Sequence, residues 1–195
     1  MFTVDIDKAF EPDLCIDIMD LTPEIILEKF GRPDIIWASP PCTTFSIASV
    51  YRYWDKGKPK NEKTLQGIAI VKKTLELIKQ LDPLFWIIEN PRGMLRKQEF
   101  MPNNFRNTVS YCQYGANIMK PTDLWNNILG FIPRICKPGA ACHERASRGS
   151  KKGVQGLYNP SWDKSLHRNK RLRAIVPKQL CEEIIKCCEG YNGTI

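Results

Sequence analysis

No apolar stretch in this chain approaches the roughly 20 residues that a membrane-crossing helix needs, so no membrane partner is expected. A basic leader and a signal core are also missing from Met1-Phe2-Thr3-Val4-Asp5, which points to an intracellular protein. Acidic residues are in deficit: 21 Asp and Glu stand against 29 Lys and Arg, for a net charge of +8. That excess suits a polyanionic partner, although a merely soluble basic chain has the same balance. Cysteine is not scarce. In a reducing compartment the eight present read as thiols or metal ligands rather than disulfides, and Asn192-Gly193-Thr194 carries no glycosylation meaning there. A chain of 195 residues with 43% hydrophobic residues is ordinary for one globular domain.

The stretch that organises the rest is Ser39-Pro40-Pro41-Cys42-Thr43-Thr44-Phe45-Ser46, which follows the apolar run Asp34-Ile35-Ile36-Trp37-Ala38. The run reads as a fully buried strand bounded by Gly31 and Pro33 before it and by two prolines after it, which cannot donate to a sheet ladder. Cys42 therefore falls in the loop beyond the carboxyl end of a strand, where open α/β sheets place their ligands. Upstream, Phe2–Asp7 and Leu14–Ile18 read as strands ending in acids. Thr22-Pro23-Glu24 reads as the capped start of a helix that runs to Phe30 and stops at Gly31. Asp5, Asp7 and Asp17 are either strand-end acids of a nucleotide-binding sheet or solvated loop acids.

Downstream, residues 51–61 mix aromatics with cations, as either a flexible surface loop or a lid suited to bases and phosphates. The best helix runs from Glu62 to Leu81, with Leu65, Ile68, Val71, Leu75, Ile78 and Leu81 forming one apolar stripe. Asp82-Pro83 ends it, and Leu84–Ile88 is a second buried strand that delivers Glu89-Asn90-Pro91-Arg92-Gly93. Strand, helix and strand predict a right-handed βαβ unit with Cys42 and Glu89 at one edge of a parallel sheet. A thiolate there can add to an electron-poor ring carbon while a carboxyl protonates or hydrogen-bonds a ring nitrogen. Alone, a cysteine after Pro-Pro is more often a small buried hydrophobe, and Glu-Asn-Pro is usually a turn. Together on consecutive strands they read as a site.

Ser39-Pro40-Pro41-Cys42 with Phe45-Ser46, followed about fifty residues later by Glu89-Asn90-Pro91, resembles the DNA (cytosine-5) methyltransferases, especially their compact phage and bacterial forms. The resemblance implies a Rossmann-like S-adenosylmethionine-binding sheet, DNA as partner, and a cytoplasmic setting in a bacterium or phage-infected cell. It implies that Cys42 adds to cytosine C6 and that Glu89 engages N3 before C5 takes the methyl group. Asp5 matches the acid that holds the cofactor ribose, Asp17-Ile18 the pair beside the adenine, and Pro40 the cofactor side of the cysteine motif. Arg171-Leu172-Arg173-Ala174-Ile175-Val176-Pro177 resembles the family's late motif, whose helix, with Leu180, Ile184 and Cys188, returns to the core. The target base must leave the duplex, which basic and aromatic loops assist.

The chain departs from that pattern as well. It contains no Phe-x-Gly-x-Gly segment, and its first strand matches the family's second. The family's first strand is central, so an N-terminally shortened sheet is expected, with a second chain or second copy as a way to complete it. The Gln-x-Arg-x-Arg stretch is replaced by Tyr114-Gly115-Ala116-Asn117-Ile118-Met119-Lys120, where Lys120 stands in for part of the lost charge.

Residues 133–173 are rich in Pro and Gly and strongly cationic, which suits phosphate contacts and base stacking, or equally a disordered basic loop. Arg145, Arg148, Lys151, Lys152, Arg171 and Arg173, with Arg92 and Lys120, are the candidate DNA contacts. Cys136 and Cys142-His143, with Cys112, have the residue types of a Cys3His zinc site without the spacing of a standard finger. The expected organisation is therefore a catalytic core over 1–132, a basic target-recognition region over 133–173, and a returning helix over 174–195. The expected function is cytosine-5 methylation of DNA. The alternative is a non-catalytic or split-enzyme relative that binds DNA and needs a partner chain for the cofactor.

Overall fold

Turn residues stand where the elements stop. The computed structural model describes residues 1–116, 118–137, 140–143 and 174–190. They form two compact units, Met1–Pro102 and Asn103–Ile195. This division falls earlier in the chain than the 132/133 boundary drawn from composition, and most of the basic 133–173 region lies outside the described residues. No described helix is long and apolar enough to cross a membrane.

In the first unit, strands β1 (Val4–Asp5) and β2 (Leu14–Cys15) pair in parallel. Helix α1 (Pro23–Phe30) begins where the side chain of Thr22 accepts from the Ile25 amide, with proline at its first position. It ends at Gly31, whose φ of 75° is a conformation that other residues adopt only with strain. Strand β3 (Ile35–Ala38) follows, then the cysteine loop, a helical turn α2 (Val50–Tyr53), and a small hairpin of β4 (Trp54–Asp55) with β5 (Lys58–Pro59). Helix α3 (Glu62–Leu81) is capped by the Asn61 side chain. It leads to β6 (Phe85–Pro91), which pairs in parallel with β3 from Ile35↔Phe85 to Ala38↔Ile88. The β3–α3–β6 unit and the α/β, Rossmann-like class are as expected.

Four details differ from the sequence reading. Strand β3 is half-exposed rather than fully buried, with Ile35 40% exposed, because it lies at a sheet edge; β1 and β2 form a separate two-stranded ladder. Leu65 is exposed, and α3 buries Thr64, Gly67, Val71, Thr74, Leu77, Ile78 and Leu81. The buried face is thus rotated toward small residues, which let the cysteine loop approach. Strand β6 does not stop at Ile88 but continues through Pro91, a tolerable place for proline because the strand ends there. Residues 51–61 are largely ordered as a helical turn and a hairpin rather than a loose loop. Tyr53 and Trp54 turn inward, while Lys56 and Gly57 take the left-handed conformations of a two-residue hairpin turn.

Leu21, Ile26, Leu77 and Leu81 form a core cluster, with Phe2, Val4, Leu14, Ile16, Ile18, Ile25 and Ile36 packed against it. In this way α1 and α3 cover β1, β2 and β3 although the two ladders are separate.

In the second unit, β7 (Arg106–Ser110) pairs antiparallel with β8 (Pro121–Asn126), and the 3-10 turn Tyr111–Tyr114 lies between them in sequence. Helix α4 (Lys178–Glu189) buries Leu180, Ile184 and Cys188 as expected and packs on that 3-10 turn.

Candidate active site and a cysteine–histidine cluster

Two consecutive prolines leave the cysteine loop poor in backbone donors, so its order depends on where its carbonyls find partners. Nearly all of them do. The Pro40 carbonyl accepts from Asn90 Nδ2 at 2.9 Å. The Cys42 carbonyl accepts from the Phe45 and Ser46 amides at 3.0 and 2.9 Å. Ser49 Oγ donates to the Thr43 carbonyl and Trp54 Nε1 to the Thr44 carbonyl, each at 2.6 Å. The Met94 amide donates to the Phe45 carbonyl at 2.7 Å, and Ser46 forms a bridge with Gly93.

Two glycines make this closeness possible. A Cβ on Gly67 of α3 would stand 2.5 Å from Thr44 Oγ1, and one on Gly93 would stand 2.0 Å from the Phe45 carbonyl oxygen. The loop is therefore held by β6, by the turn after it, by α3 and by the hairpin, while Cys42 itself stays half-buried. Such restraint fixes the backbone that carries Cys42.

The β3–β6 register, extended by one and two residues, sets Ser39 beside Glu89 and Pro40 beside Asn90. Glu89 is 5% exposed and Asn90 is fully buried. A carboxyl so far from water is costly to keep unless it has work or partners there. The Asn90–Pro40 hydrogen bond joins the two motifs directly, and sequence reading missed it because it linked Asn90 to no role. Asn90→Leu keeps the volume but strands the Pro40 carbonyl. It is expected to cost about 1–3 kcal/mol in a denaturant titration and to lower kcat while DNA affinity in a filter assay stays near normal.

The residues matched to a cofactor lie on the other ladder. Asp5 ends β1 and Asp17 follows β2, both half-buried. Each accepts at Oδ1 from an amide of its own loop, Asp5 from the Asp7 N–H at 2.8 Å and Asp17 from the Met19 N–H at 2.9 Å. Each carboxylate then has Oδ2 to offer, a donor set that fits sugar hydroxyls. Ile18 is partly committed to the core cluster, and Pro40 is buried in the clamp above. Arg92 is exposed directly after β6. Arg145, Arg148, Lys151, Lys152, Arg171 and Arg173 lie outside the described residues.

In the second unit, Lys120 sets its ammonium 4.4 Å from the centre of the Tyr111 ring, so its charge already faces an aromatic partner. Cys112, Cys136, Cys142 and His143 converge, their ligand atoms all within 4.8 Å of one another. Burial, then hydrogen bonds with Cys136 and Cys142, push the Cys112 thiol up to about 12. Burial also raises Cys136, whereas Cys142 is lowered, chiefly by its hydrogen bond with Cys136.

Comparison with known proteins settles the family. The sequence pattern of the C-5 cytosine-specific DNA methylases matches residues 8–118, more than half of the chain. The chain belongs to that family. Its members are S-adenosylmethionine-dependent transferases. A relative from Frog virus 3 (isolate Goorha), named "Probable DNA (cytosine-5)-methyltransferase", is 27% identical over 205 residues, covering 95% of this chain and 88% of its own.

Among solved structures, a protein encoded within an E. coli prophage and named as a DNA modification methyltransferase is 22% identical with a TM-score of 0.43. That match covers 63% of this chain and 38% of the other. A DNMT2 mutant from Spodoptera frugiperda is 18% identical with a TM-score of 0.36, covering 68% and 44%. This methylase chain thus spans less than half the length of either solved protein. The matched segment contains Cys42, Asn90 and Glu89, and with them the whole loop clamp.

Proposed function

We propose that this chain is a DNA cytosine-5 methyltransferase that works through a covalent adduct on Cys42. The observation that carries the reading is the clamp: a single cysteine on a pre-tied loop, joined through Asn90 to a strand that presents a buried glutamate. The Cys42 thiolate adds to C6 of a cytosine turned out of the duplex. Glu89 hydrogen-bonds N3 and shares its proton as charge builds on the ring. Addition breaks the C5–C6 double bond and makes C5 nucleophilic. Bound S-adenosylmethionine supplies the electrophilic methyl group, and Asp5 and Asp17 are the carboxylates suited to hold its sugar and adenine end. Transfer of the C5 proton to solvent water, as the C6–S bond breaks, then restores the double bond and releases the Cys42 thiolate. DNA is the partner, drawn by the net charge of +8, with Arg92 and the cationic 144–173 stretch as contacts.

The test is trapping on DNA that contains 5-fluorocytosine, with S-adenosylmethionine present. Fluorine cannot leave C5 as the proton does, so the adduct persists, and a complex that survives denaturing electrophoresis is expected. Salt-sensitive DNA binding without any trapped complex would sink the reading for this chain.

One observation favours a second reading. Strands β1 and β2 form their own ladder, and β3 lies at a sheet edge with Ile35 exposed. A strand from outside residues 1–195, whether from a preceding segment or a partner chain, has backbone groups to pair with there. Under that reading, the trapped complex forms only when the strand is supplied.

A further inference from the structure

We infer that Cys112, Cys136, Cys142 and His143 are a tetrahedral Cys3His site for a structural zinc ion that ties the 134–143 segment to the 3-10 turn after β7. The inference is independent of the methyl-transfer chemistry, since none of the four residues belongs to the Cys42–Glu89 clamp.

Distances carry the argument first. Zinc bonds of about 2.3 Å to sulfur and 2.0–2.1 Å to nitrogen give tetrahedral edges of about 3.8 Å between sulfurs and 3.6 Å between sulfur and nitrogen. Cys142 Sγ lies 3.8 Å from Cys112 Sγ. His143 Nδ1 lies 3.5 Å from both Cys136 Sγ and Cys142 Sγ. The Cys136–Cys142 edge, at 3.3 Å, is the shortest of these four, and it remains far beyond a disulfide bond of about 2.05 Å. All eight cysteines are free thiols.

The surroundings carry it further. Cys112 sits in the 3-10 turn on which α4 packs, so one ligand is rooted in the unit's core. Cys136 is set by its neighbours: its amide donates to Ser110 Oγ at 3.0 Å, the Arg134 amide donates to Tyr114 Oη at 2.9 Å, and the Ser110 amide donates to the Arg134 carbonyl at 3.0 Å. The Arg134 guanidinium stacks over the Tyr114 ring and pairs with Glu183 of α4. Gln113 Nε2 points at Cys142 Sγ from 3.1 Å, the N–H donor to sulfur that steadies a metal thiolate from outside the ligand shell.

Two ligands thus come from well-packed backbone, and the other two, Cys142 and His143, from a short stretch that has little apolar material to hold it. A set of three sulfurs and one imidazole within 4.8 Å of one another suits zinc over the hard cations. Four protein ligands close the shell and leave no position for substrate, so the ion is structural. His143 directly precedes the cationic 144–173 stretch in sequence.

The 195-residue chain, expressed with zinc and purified without chelator, is expected to carry one zinc per chain by plasma mass spectrometry. Cys142→Ser and His143→Asn should each lower that content at least several-fold, and Cys15→Ser, an exposed thiol elsewhere, should not. Because a variant at the buried Cys112 or Cys136 can fail to fold, the decisive measurement uses the unaltered chain. Cobalt added after zinc removal should give the visible bands of a tetrahedral Co(II) centre and thiolate-to-cobalt charge transfer in the near ultraviolet, both erased by one equivalent of zinc. Folded protein with neither zinc nor a tetrahedral cobalt spectrum would overturn the site. So would a Cys136–Cys142 disulfide in the freshly purified protein, or full zinc content in both Cys142→Ser and His143→Asn.

Discussion

Cys42→Ser is expected to abolish methyl transfer and the trapped complex with 5-fluorocytosine DNA, while equilibrium binding of the same DNA changes little. Serine keeps the size of the side chain and the loop's carbonyl bonds, which run through backbone atoms and so are untouched. It removes the polarisable thiolate, and a neutral hydroxyl adds poorly to a ring carbon. A rate loss of about 10⁴-fold or more is expected. Glu89→Gln separates the second role from the first. The amide fits the same buried space but has no acidic proton to share, so turnover falls by roughly 10²–10⁴-fold with the protein still folded. Methyl incorporation from labelled cofactor, read beside a DNA mobility assay, distinguishes loss of chemistry from loss of binding. Transfer at the original rate in the Cys42→Ser protein would eliminate the covalent mechanism.

Gly93→Ala carries the other large effect, and it acts through backbone. The added Cβ would stand 2.0 Å from the Phe45 carbonyl oxygen and 3.0 Å from its carbon, with the Ile47 amide nitrogen at 3.4 Å. No rotamer relieves an overlap between main-chain atoms, so the turn after β6 and the cysteine loop must move apart. That motion strains or breaks the 2.7 Å bond from the Met94 amide to the Phe45 carbonyl. We expect a loss of about 2–4 kcal/mol, which lowers the melting temperature by roughly 5–15 °C. Activity measured well below that temperature should also fall, because the nucleophile's loop is displaced. A melting curve equal to that of the unaltered chain, with full activity, would show that the close approach of Phe45 to Gly93 is not made in solution.

The two variants probe different layers of one design. In the proposed reaction Cys42 supplies the reacting atom, whereas Gly93 supplies only the space that lets the cysteine loop rest against the turn after β6. Asn90 belongs with Gly93 in this respect: its side chain reaches back to Pro40, so the motif that ends β6 also shapes the motif that ends β3.

Much of this was legible in the chain itself, because its signals are local. Thr22-Pro23 and Gly31 bound α1 through a side-chain cap, a fixed φ and a positive φ, and each acts within one turn. Asn61 and Asp82 bound α3 in the same way, and the strand–helix–strand order then dictates a parallel pair. The residue types Cys42 and Glu89 at successive strand ends suggest the proposed chemistry, and the parallel β3–β6 pairing brings those two strand ends side by side.

What only the tertiary structure decided depends on residues distant in sequence. Periodicity along α3 marked Leu65 as core, yet Leu65 is exposed and Gly67 is buried, because the cysteine loop needs a helix surface without side chains. The run Ile35–Ala38 has the composition of an interior strand and lies at a sheet edge, since burial depends on which neighbours pair and not on the strand's own residues. Cys112 and His143 are thirty-one positions apart, and their types alone suggest a metal without placing one. Their convergence rests on the 3-10 turn, the Ser110–Cys136 bond and the Arg134 stack, which together set Cys136 beside the turn after β7. Local chemistry is written in the order of residues; the clamp on the nucleophile and the closing of the cysteine cluster are written in contacts that exist only once the chain is folded.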